Sequence, residues 1–193
     1  MIKKATALYF SPTYGTKRVV EKFVKYLVDM ETTIVDNTLP EQRVKLYEFD
    51  SDELVIVANP VYAGQIPQVQ GLWRNLRGQN TPCIILACYG NRHYDDTLAQ
   101  MQQLLEARGF VVIGAAAPII PHIFSSVLGA ERPDIKDEAE LHIFAAEVLR
   151  KLAWEEIESV DLPGDPNPEP KTPVAVPKSF VEENCVQCGR CAD

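Results

Sequence analysis

Hydroxyl-bearing side chains are concentrated in SPTYGTKR, residues 11–18, which follows a short apolar run and precedes a helical pattern. The segment is therefore expected where a strand passes into a helix. Free N–H groups and the helix dipole favour an anion at such a place, and Ser or Thr hydroxyls can complete its cradle. Neither GxGxxG nor GxxxxGKS/T is present, so two interpretations stay open: a phosphate-binding loop, or an ordinary turn capped by Ser11 or Thr13.

Two later loops carry aromatic side chains on which a flat ligand could stack. NPVYAGQIP (59–67) contains Tyr62, and CYGNRHYDD (88–96) contains Tyr89 and Tyr94. A lone loop tyrosine is usually a packing residue with its hydroxyl in water. Taken together with the hydroxyl-rich loop, however, these two loops predict a site for a phosphorylated planar ring.

Three cysteines near the end of the sequence have the spacing of metal ligands. Cys185, Cys188 and Cys191 match the opening of a bacterial ferredoxin run, whose next cysteine is expected four positions on, before a proline. The sequence ends two residues after Cys191, whereas a 4Fe–4S cluster needs four ligands. We therefore expect these cysteines to bind a cluster only in a longer protein. Structural zinc is the alternative, and it too needs a fourth ligand.

No pattern of hydrolytic catalysis is present, and we predict no catalytic residue. His93, His122 and His142 lie apart from any nucleophile motif, and the segment from Cys88 to Arg92 is too short for a Cys-x5-Arg phosphatase loop. His93 and His122 fall in loops near the expected ring, where either could donate a hydrogen bond or gate a proton.

Five apolar runs predict the strands that position these loops, over residues 5–10, 32–36, 53–60, 83–89 and 110–117. Apolar residues at helical spacing predict four helices. They span residues 19–28, the segment from Pro67 through Leu76, a segment through Leu98 and Leu105 that Gly109 ends, and residues 137–156. Continuous apolar strands separated by amphipathic helices indicate a doubly wound α/β domain, with a parallel sheet covered on both faces. Such sheets bind ligands beyond the carboxyl ends of the strands, where the strand order reverses.

Composition divides the sequence into three parts. Residues 161–178 contain six of the fourteen prolines and no periodic apolar pattern, which is typical of a stiff, extended linker. We therefore predict a domain over residues 1–160, a linker over 161–178, and the truncated start of an iron–sulfur domain over 179–193.

Bulk properties exclude several classes of partner. The 27 acidic and 19 basic residues give a net charge of −8, which argues against nucleic acid and against an anionic membrane surface. No apolar run approaches the roughly 20 residues of a membrane span and no secretory signal is present, so a cytoplasmic location is expected. Cys83 and Cys88 lie five apart in one apolar run and are predicted to be buried thiols on opposite faces of a strand.

The spacing within each of these three loops resembles that of the flavodoxins. It implies a five-stranded sheet of order 2-1-3-4-5 and FMN as the cofactor, with the phosphate in the first loop and the ring between Tyr62 and Tyr94. The residues that it implicates in cofactor binding are Ser11, Thr13, Tyr14, Gly15 and Thr16 in the first loop, Pro60, Val61, Tyr62, Ala63 and Gly64 in the second, and Tyr89, Gly90, Asn91 and Tyr94 in the third.

The words PVYAGQIP, YGNRHYDD and ERPDIKD resemble a narrower group, cytoplasmic proteins of anaerobic microbes that fuse a flavodoxin-like domain to a two-cluster ferredoxin domain. This resemblance covers nearly the whole chain and depends on the order of the motifs. It implies an electron-transfer flavoprotein that exchanges electrons with the clusters of a ferredoxin domain or a ferredoxin-like partner. Two alternatives remain: an FMN-dependent reductase of a quinone or a flavin, and a flavin-free docking module. The oligomeric state is left open, a homodimer included.

Position 63 departs from the flavodoxin pattern. In many flavodoxins the residue after the second-loop aromatic is a glycine, whose peptide turns over on one-electron reduction; here it is Ala63, followed by Gly64. We expect a type II turn with Gly64 at its third position, so that turning the peptide over would need positive φ at Ala63, at a penalty of about 1 kcal/mol. The one-electron-reduced flavin is then expected to be weakly stabilised.

Overall fold

A computed structural model of the protein describes residues 2–154 and 156–169. The strands in this part are β1 (Lys4–Tyr9), β2 (Glu31–Asp36), β3 (Tyr47–Phe49), β4 (Glu53–Pro60), β5 (Leu76–Gly78), β6 (Thr81–Cys88) and β7 (Phe110–Ala116). The helices are α1 (Gly15–Phe23) with a 3-10 turn (Val24–Tyr26), α2 (Pro40–Arg43), α3 (Thr97–Glu106) and α4 (Ile135–Ala153).

Five of these strands form one parallel sheet in the order β2-β1-β4-β6-β7. The short strands β3 and β5 form a separate parallel pair. Without that pair the order is the predicted 2-1-3-4-5, and the predicted fold is confirmed. Because β1 lies between β2 and β4, the strand order reverses there.

Both faces of the sheet are covered by apolar side chains. One buried cluster joins the sheet to α1 and α4, and the other joins it to α3 and the segment before β5. Every residue of β6 is buried, which explains why this strand has a continuous apolar sequence. Cys88 belongs to the first cluster and Cys83 to the second, so the prediction of buried thiols on opposite faces is confirmed. Among the described residues, no helix has the length and apolarity to cross a membrane.

The helix predicted from Pro67 through Leu76 is wrong. The segment forms consecutive turns, in one of which Arg74 N–H donates to the Gly71 carbonyl at 3.0 Å. Gly71 and Trp73 have φ angles of 79° and 58°, in the left-handed region that interrupts a right-handed helix. The apolar spacing reflects burial in this case, since Leu72 and Trp73 are 5% and 1% exposed.

The bounds of two helices also differ from the predictions. The first helix does not continue to residue 28, because a 3-10 turn replaces it after Phe23 and Asp29 has a φ of 62°. The last helix begins at Ile135 because Asp134 caps it, accepting hydrogen bonds from the N–H groups of Lys136 and Asp137.

The end of the described chain runs along the β7 edge of the sheet and over α3. Val160 N–H donates to the Val112 carbonyl of β7 at 3.0 Å, and Gln102 Nε2 on α3 donates to the Val160 carbonyl at 2.6 Å. Further on, Asp165 N–H donates to Asp96 Oδ1 at 3.0 Å. Residues 161–169 of the predicted linker therefore lie against the domain. The rest of the linker and the cysteine-bearing segment 179–193 are outside the described residues.

Candidate functional site

The three loops named by the sequence follow β1, β4 and β6, which are neighbours in the parallel sheet. They therefore leave the sheet at the same edge, beside the point where the strand order reverses. The second and third loops are joined where they begin, because Val61 N–H donates to the Cys88 carbonyl at 2.8 Å. Pro60 is buried and lies opposite Cys88 in the strand register.

The first loop presents the N-terminus of α1 at this edge. Ser11 is 6% exposed; its Oγ accepts the Lys17 N–H at 3.0 Å, and its own N–H donates to Thr38 Oγ1 at 2.9 Å. Thr13 and Tyr14 are exposed, and Tyr14 has a φ of 62° just before α1 begins. Ser11 thus satisfies one N–H of the first turn of α1, whose N-cap residue is Tyr14, while its hydroxyl proton remains available to an anion.

Thr16 carries a buried polar atom that an anion could satisfy. The residue is 1% exposed, and its Oγ1 has no hydrogen bond of ordinary geometry among the described residues. The Cys88 thiol beside it is a weak partner. Burial raises the pKa of Cys88 to about 12 despite the opposing effect of Thr16, so this thiol stays neutral at pH 7.

Residues 62–65 form a two-residue hairpin turn. Tyr62 N–H donates to the Gln65 carbonyl at 2.9 Å, and Gln65 N–H donates to the Tyr62 carbonyl at 3.0 Å. The φ angles of 52° at Ala63 and 81° at Gly64 have the signs of a type I′ turn, not type II. The expectation of negative φ at Ala63 is therefore wrong. A left-handed alanine is already part of the fold, and the argument for a weakly stabilised one-electron-reduced flavin loses its physical basis.

The hairpin packs against the third loop through Gly64. Asp96 N–H donates to the Gly64 carbonyl at 2.9 Å, and a Cβ at Gly64 would lie 2.0 Å from Asp95 Oδ2. Asp95 also accepts a hydrogen bond from Arg92 at 2.9 Å, and its own N–H donates to His93 Nδ1 at 2.8 Å. Glycine is therefore required at position 64 for space as well as for backbone conformation.

The tyrosines of the third loop contact one another and His93. The Tyr89 and Tyr94 rings meet edge to face at 5.8 Å, and the His93 ring stacks on Tyr94 at 4.8 Å. Tyr94 is also packed against the second apolar cluster, whereas Tyr62 is 42% exposed. Asn91 is exposed and has a φ of 59°. Tyr62 is therefore the more open of the two tyrosines that were expected to stack on a ring.

A small cleft separates the hairpin from a segment that follows β7. It encloses about 80 Å³, and the residues that line it are Thr13, Pro60, Val61, Tyr62, Cys88, Gly90, Ile120, Pro121, His122 and Ile123. Gly90 lies directly against His122, since a Cβ there would be 2.6 Å from His122 Cδ2. Ligand pockets usually measure about 300–1,000 Å³, so a tricyclic ring fits only if the hairpin and residues 120–123 move apart.

The segment 120–123 was not part of the site named from the sequence, apart from His122. The sequence could have indicated this segment, because it follows β7, and the carboxyl end of β7 lies beside that of β6. Gly15 of the first loop also meets this segment, since a Cβ there would be 2.9 Å from Ile120 Cδ1. The site is thus built from four loops.

The predicted metal ligands Cys185, Cys188 and Cys191 lie outside the described residues. Within residues 2–154 and 156–169, no group of three His, Cys, Asp or Glu side chains could hold a metal ion.

Comparison with protein-family models and with curated proteins finds no match to the chain. Solved structures do resemble its fold. Oxidised flavodoxin 2 from Bacillus cereus has a TM-score of 0.57 at 12% identity, over 77% of this chain and 99% of the flavodoxin. Fusobacterium nucleatum flavodoxin bound to flavin mononucleotide has 0.52 at 11% identity, over 78% and 99%. An NADH:FMN oxidoreductase in its apo form has 0.51 at 12% identity, over 75% and 87%. These similarities show a flavodoxin-like fold.

Proposed function

We propose that this chain is an FMN-binding electron-transfer domain that exchanges electrons with the iron–sulfur clusters of a ferredoxin domain, in the cytoplasm. One observation carries the flavin part: the three loops named from the sequence lie at the carboxyl edge of neighbouring strands in a flavodoxin-like sheet. One protein with a similar fold is a flavodoxin bound to flavin mononucleotide.

The first loop supplies groups that fit a phosphate dianion. The N-terminus of α1, the Ser11 hydroxyl and the buried Thr16 hydroxyl are all donors that need an acceptor. An unsatisfied buried hydroxyl is unfavourable by about 1–3 kcal/mol, and a phosphate oxygen within reach would remove that penalty. Thr13, exposed beside the cleft, adds a further hydroxyl.

The hairpin and the third loop supply the expected contacts to a ring. Tyr62 offers an open aromatic face at the cleft, while Tyr94 already has one face against His93. When bound, FMN would provide the one- and two-electron chemistry, and the chain's residues would orient it and exclude water. Tyrosine stacking and an acidic protein both disfavour the reduced anion, which predicts a low potential.

The iron–sulfur partner is proposed from the sequence of the C-terminal segment. The spacing of Cys185, Cys188 and Cys191 suits cluster ligation once a fourth cysteine is supplied. A continuous chain would keep donor and acceptor at high effective concentration.

Titration of the protein with FMN, followed by visible absorption and flavin fluorescence, tests the proposal. We expect binding by the unmodified protein and a loss of at least about 100-fold in affinity in a Thr13→Ala/Thr16→Ala variant, because each of the two lost hydrogen bonds to a charged group contributes about 1.5–3 kcal/mol. The matched control, Thr32→Ala/Thr33→Ala in β2, should bind like the unmodified protein. Riboflavin, which lacks the phosphate, should bind weakly and with equal affinity to the unmodified protein and to the Thr13→Ala/Thr16→Ala variant. No flavin binding by the unmodified protein would refute the proposal and favour a docking module.

The similarity to an NADH:FMN oxidoreductase favours a second candidate, an FMN-dependent reductase of a quinone or a flavin. Stopped-flow mixing of the FMN-loaded protein with NADH or NADPH distinguishes the two. Rapid bleaching without a partner protein would support the reductase, and its absence would support the electron carrier.

A further inference from the structure

Residues 123–128, here termed the apolar loop, expose four large apolar side chains within six positions. Ile123 is 61% exposed, Phe124 89%, Val127 80% and Leu128 48%. No charged residue occurs in the sequence from Phe110 to Ala130, although the protein carries a net charge of −8. Concentrated apolar exposure of this kind is typical of an interaction surface.

The exposure is built into the conformation of the apolar loop. Some of its N–H groups donate to side chains within or next to it: Phe124 N–H donates to His122 Nδ1 at 3.1 Å, and Leu128 N–H donates to Ser125 Oγ at 3.1 Å. The base of the loop is closed by His122 N–H, which donates to the Leu128 carbonyl at 2.9 Å. The apolar side chains are therefore presented outward by a backbone that several hydrogen bonds hold in place.

The apolar loop borders the cleft of the proposed flavin site. Ile123 lines that cleft together with Tyr62, and His122 packs on Gly90 of the third loop. A partner seated on the apolar loop would therefore lie next to the ring edge, where electrons would enter or leave.

The described chain ends against the hairpin, which lies across the same cleft from Ile123. Gln65 Nε2, in the hairpin that carries Tyr62, donates to the Glu169 carbonyl at 3.2 Å. Asp165 N–H donates to Asp96 Oδ1 at 3.0 Å, which holds the segment leading to Glu169 against the third loop. The described chain therefore ends against the hairpin that borders the cleft, and sixteen positions separate Glu169 from Cys185. An extended segment of that length reaches about 50 Å, far more than the width of a small cleft.

We propose that the apolar loop is the docking surface for residues 170–193, the segment that carries Cys185, Cys188 and Cys191. This rests on the proposed function, because docking there would bring a cluster held by those cysteines to the flavin. Continuity of the chain favours this occupant, and so does charge: an uncharged surface lets an anionic cluster approach a protein that is itself acidic. The segment supplies apolar residues of its own in VAVPKSFV, residues 174–181.

Distance measurement by pulsed electron paramagnetic resonance on the full chain tests the proposal. One nitroxide is placed on Cys185, with Cys188 and Cys191 changed to Ser, and the other on Glu131→Cys beside the apolar loop. The buried Cys83 and Cys88 are not labelled under native conditions. Docking predicts a narrow distance distribution. A free segment predicts a broad distribution, because its own end-to-end distance, from Glu169 to Cys185, would vary over a range comparable to its root-mean-square value of about 20–24 Å.

The Phe124→Asp/Val127→Asp variant should broaden the distribution to that of a free segment. Both side chains are at least 80% exposed, so the thermal midpoint should not fall. The matched control is Val44→Asp, equally exposed at 83% but in the connection after α2, and it should leave the distribution narrow. A broad distribution in the parent protein would overturn the proposal. So would concentration-dependent dimerisation abolished by Phe124→Asp, which would make a second copy the occupant.

FMN affinity is measured on the same samples by absorption. Normal flavin binding with a broad distance distribution overturns the docking proposal and leaves the proposed function intact. If the parent protein binds no flavin, the proposed function is refuted, whichever distance distribution is found.

Discussion

Replacing Gly64 by Ala tests the inference that the hairpin and the third loop form one unit. The substitution has two effects. At a φ of 81° any Cβ is strained by about 1 kcal/mol. In addition, the new methyl group would lie 2.0 Å from Asp95 Oδ2 and 2.7 Å from Asp95 Cβ, so the third loop must move, at about 1–3 kcal/mol for an overpacked contact.

Gly71 provides the control that separates the two effects. Its φ is 79°, but the nearest atoms to a Cβ there are Arg43 Cβ and O at 3.7 Å, an ordinary contact. Gly71→Ala should therefore lower the free energy of unfolding by about 1 kcal/mol, and Gly64→Ala by about 2–4 kcal/mol. For a protein of this size that corresponds to a fall in Tm of about 2–4 °C for the control and about 4–16 °C for the test variant. The entropy of the unfolded chain changes equally in both and cancels in the difference.

The same pair of variants should differ in cofactor binding. Gly64→Ala displaces the hairpin that carries Tyr62, and we expect FMN affinity to fall about tenfold, or about 1.4 kcal/mol. Gly71→Ala should leave it unchanged. Adding Asp95→Gly to Gly64→Ala should recover about 1–3 kcal/mol of coupling in a double-mutant cycle, because the opposing side chain is gone. Equal Tm values for the two alanine variants, or no coupling in the cycle, would refute this account of the contact.

Three further predictions concern the rest of the domain. Burial raises the pKa of Cys88 to about 12 and also raises that of Cys83, so the folded state holds these protons more tightly than the unfolded state does. The free energy of unfolding should therefore fall as the pH rises above about 9, which urea titrations from pH 8 to 10.5 measure. Cys88→Val should reduce the slope of the free energy of unfolding against pH. Asp137 is 5% exposed, pairs with Arg132 and takes part in capping α4, so Asp137→Asn should lower the free energy of unfolding by about 2–3 kcal/mol. Asp134→Asn keeps a capping oxygen and should lower it by less than about 1 kcal/mol. An equal loss in both variants would contradict the importance given to the pair of Asp137 with Arg132. Trp73→Phe removes the N–H that donates to a buried amide oxygen at 3.0 Å and should lower the free energy of unfolding by about 2 kcal/mol, measured by denaturation; an unchanged midpoint would show that this hydrogen bond contributes nothing.

The sheet could be predicted from the sequence because its strands are buried on both faces. The predicted strand over 53–60 coincides with β4, whose residues are all buried after Glu53. Burial of that kind leaves a continuous apolar run that local reasoning detects. The loops at the carboxyl edge then follow from strand order alone.

The same rule failed where burial occurs without regular structure. Leu72 and Trp73 are as buried as helix residues, but Trp73 takes a left-handed φ of 58° while its indole N–H bonds to Asn59 at 3.0 Å. That partner lies fourteen positions earlier, so no local pattern reports it. At Ala63 the type I′ geometry likewise accompanies contacts of the hairpin with the third loop, where local preference favoured type II.

The hydrogen bond from Val160 to Val112 also bears on self-association. An unpaired edge strand is a template for another chain, and β7, with the sequence FVVIGAA, would be an apolar one. At the opposite edge β2 begins with Glu31 and ends with Asp36, and such charges discourage pairing between molecules. A shortened protein that stops before Val160 should therefore aggregate through β7, whereas one that stops after Glu169 should stay monodisperse in light scattering. The residues just after α4 therefore shield the β7 edge of the sheet from pairing with other molecules.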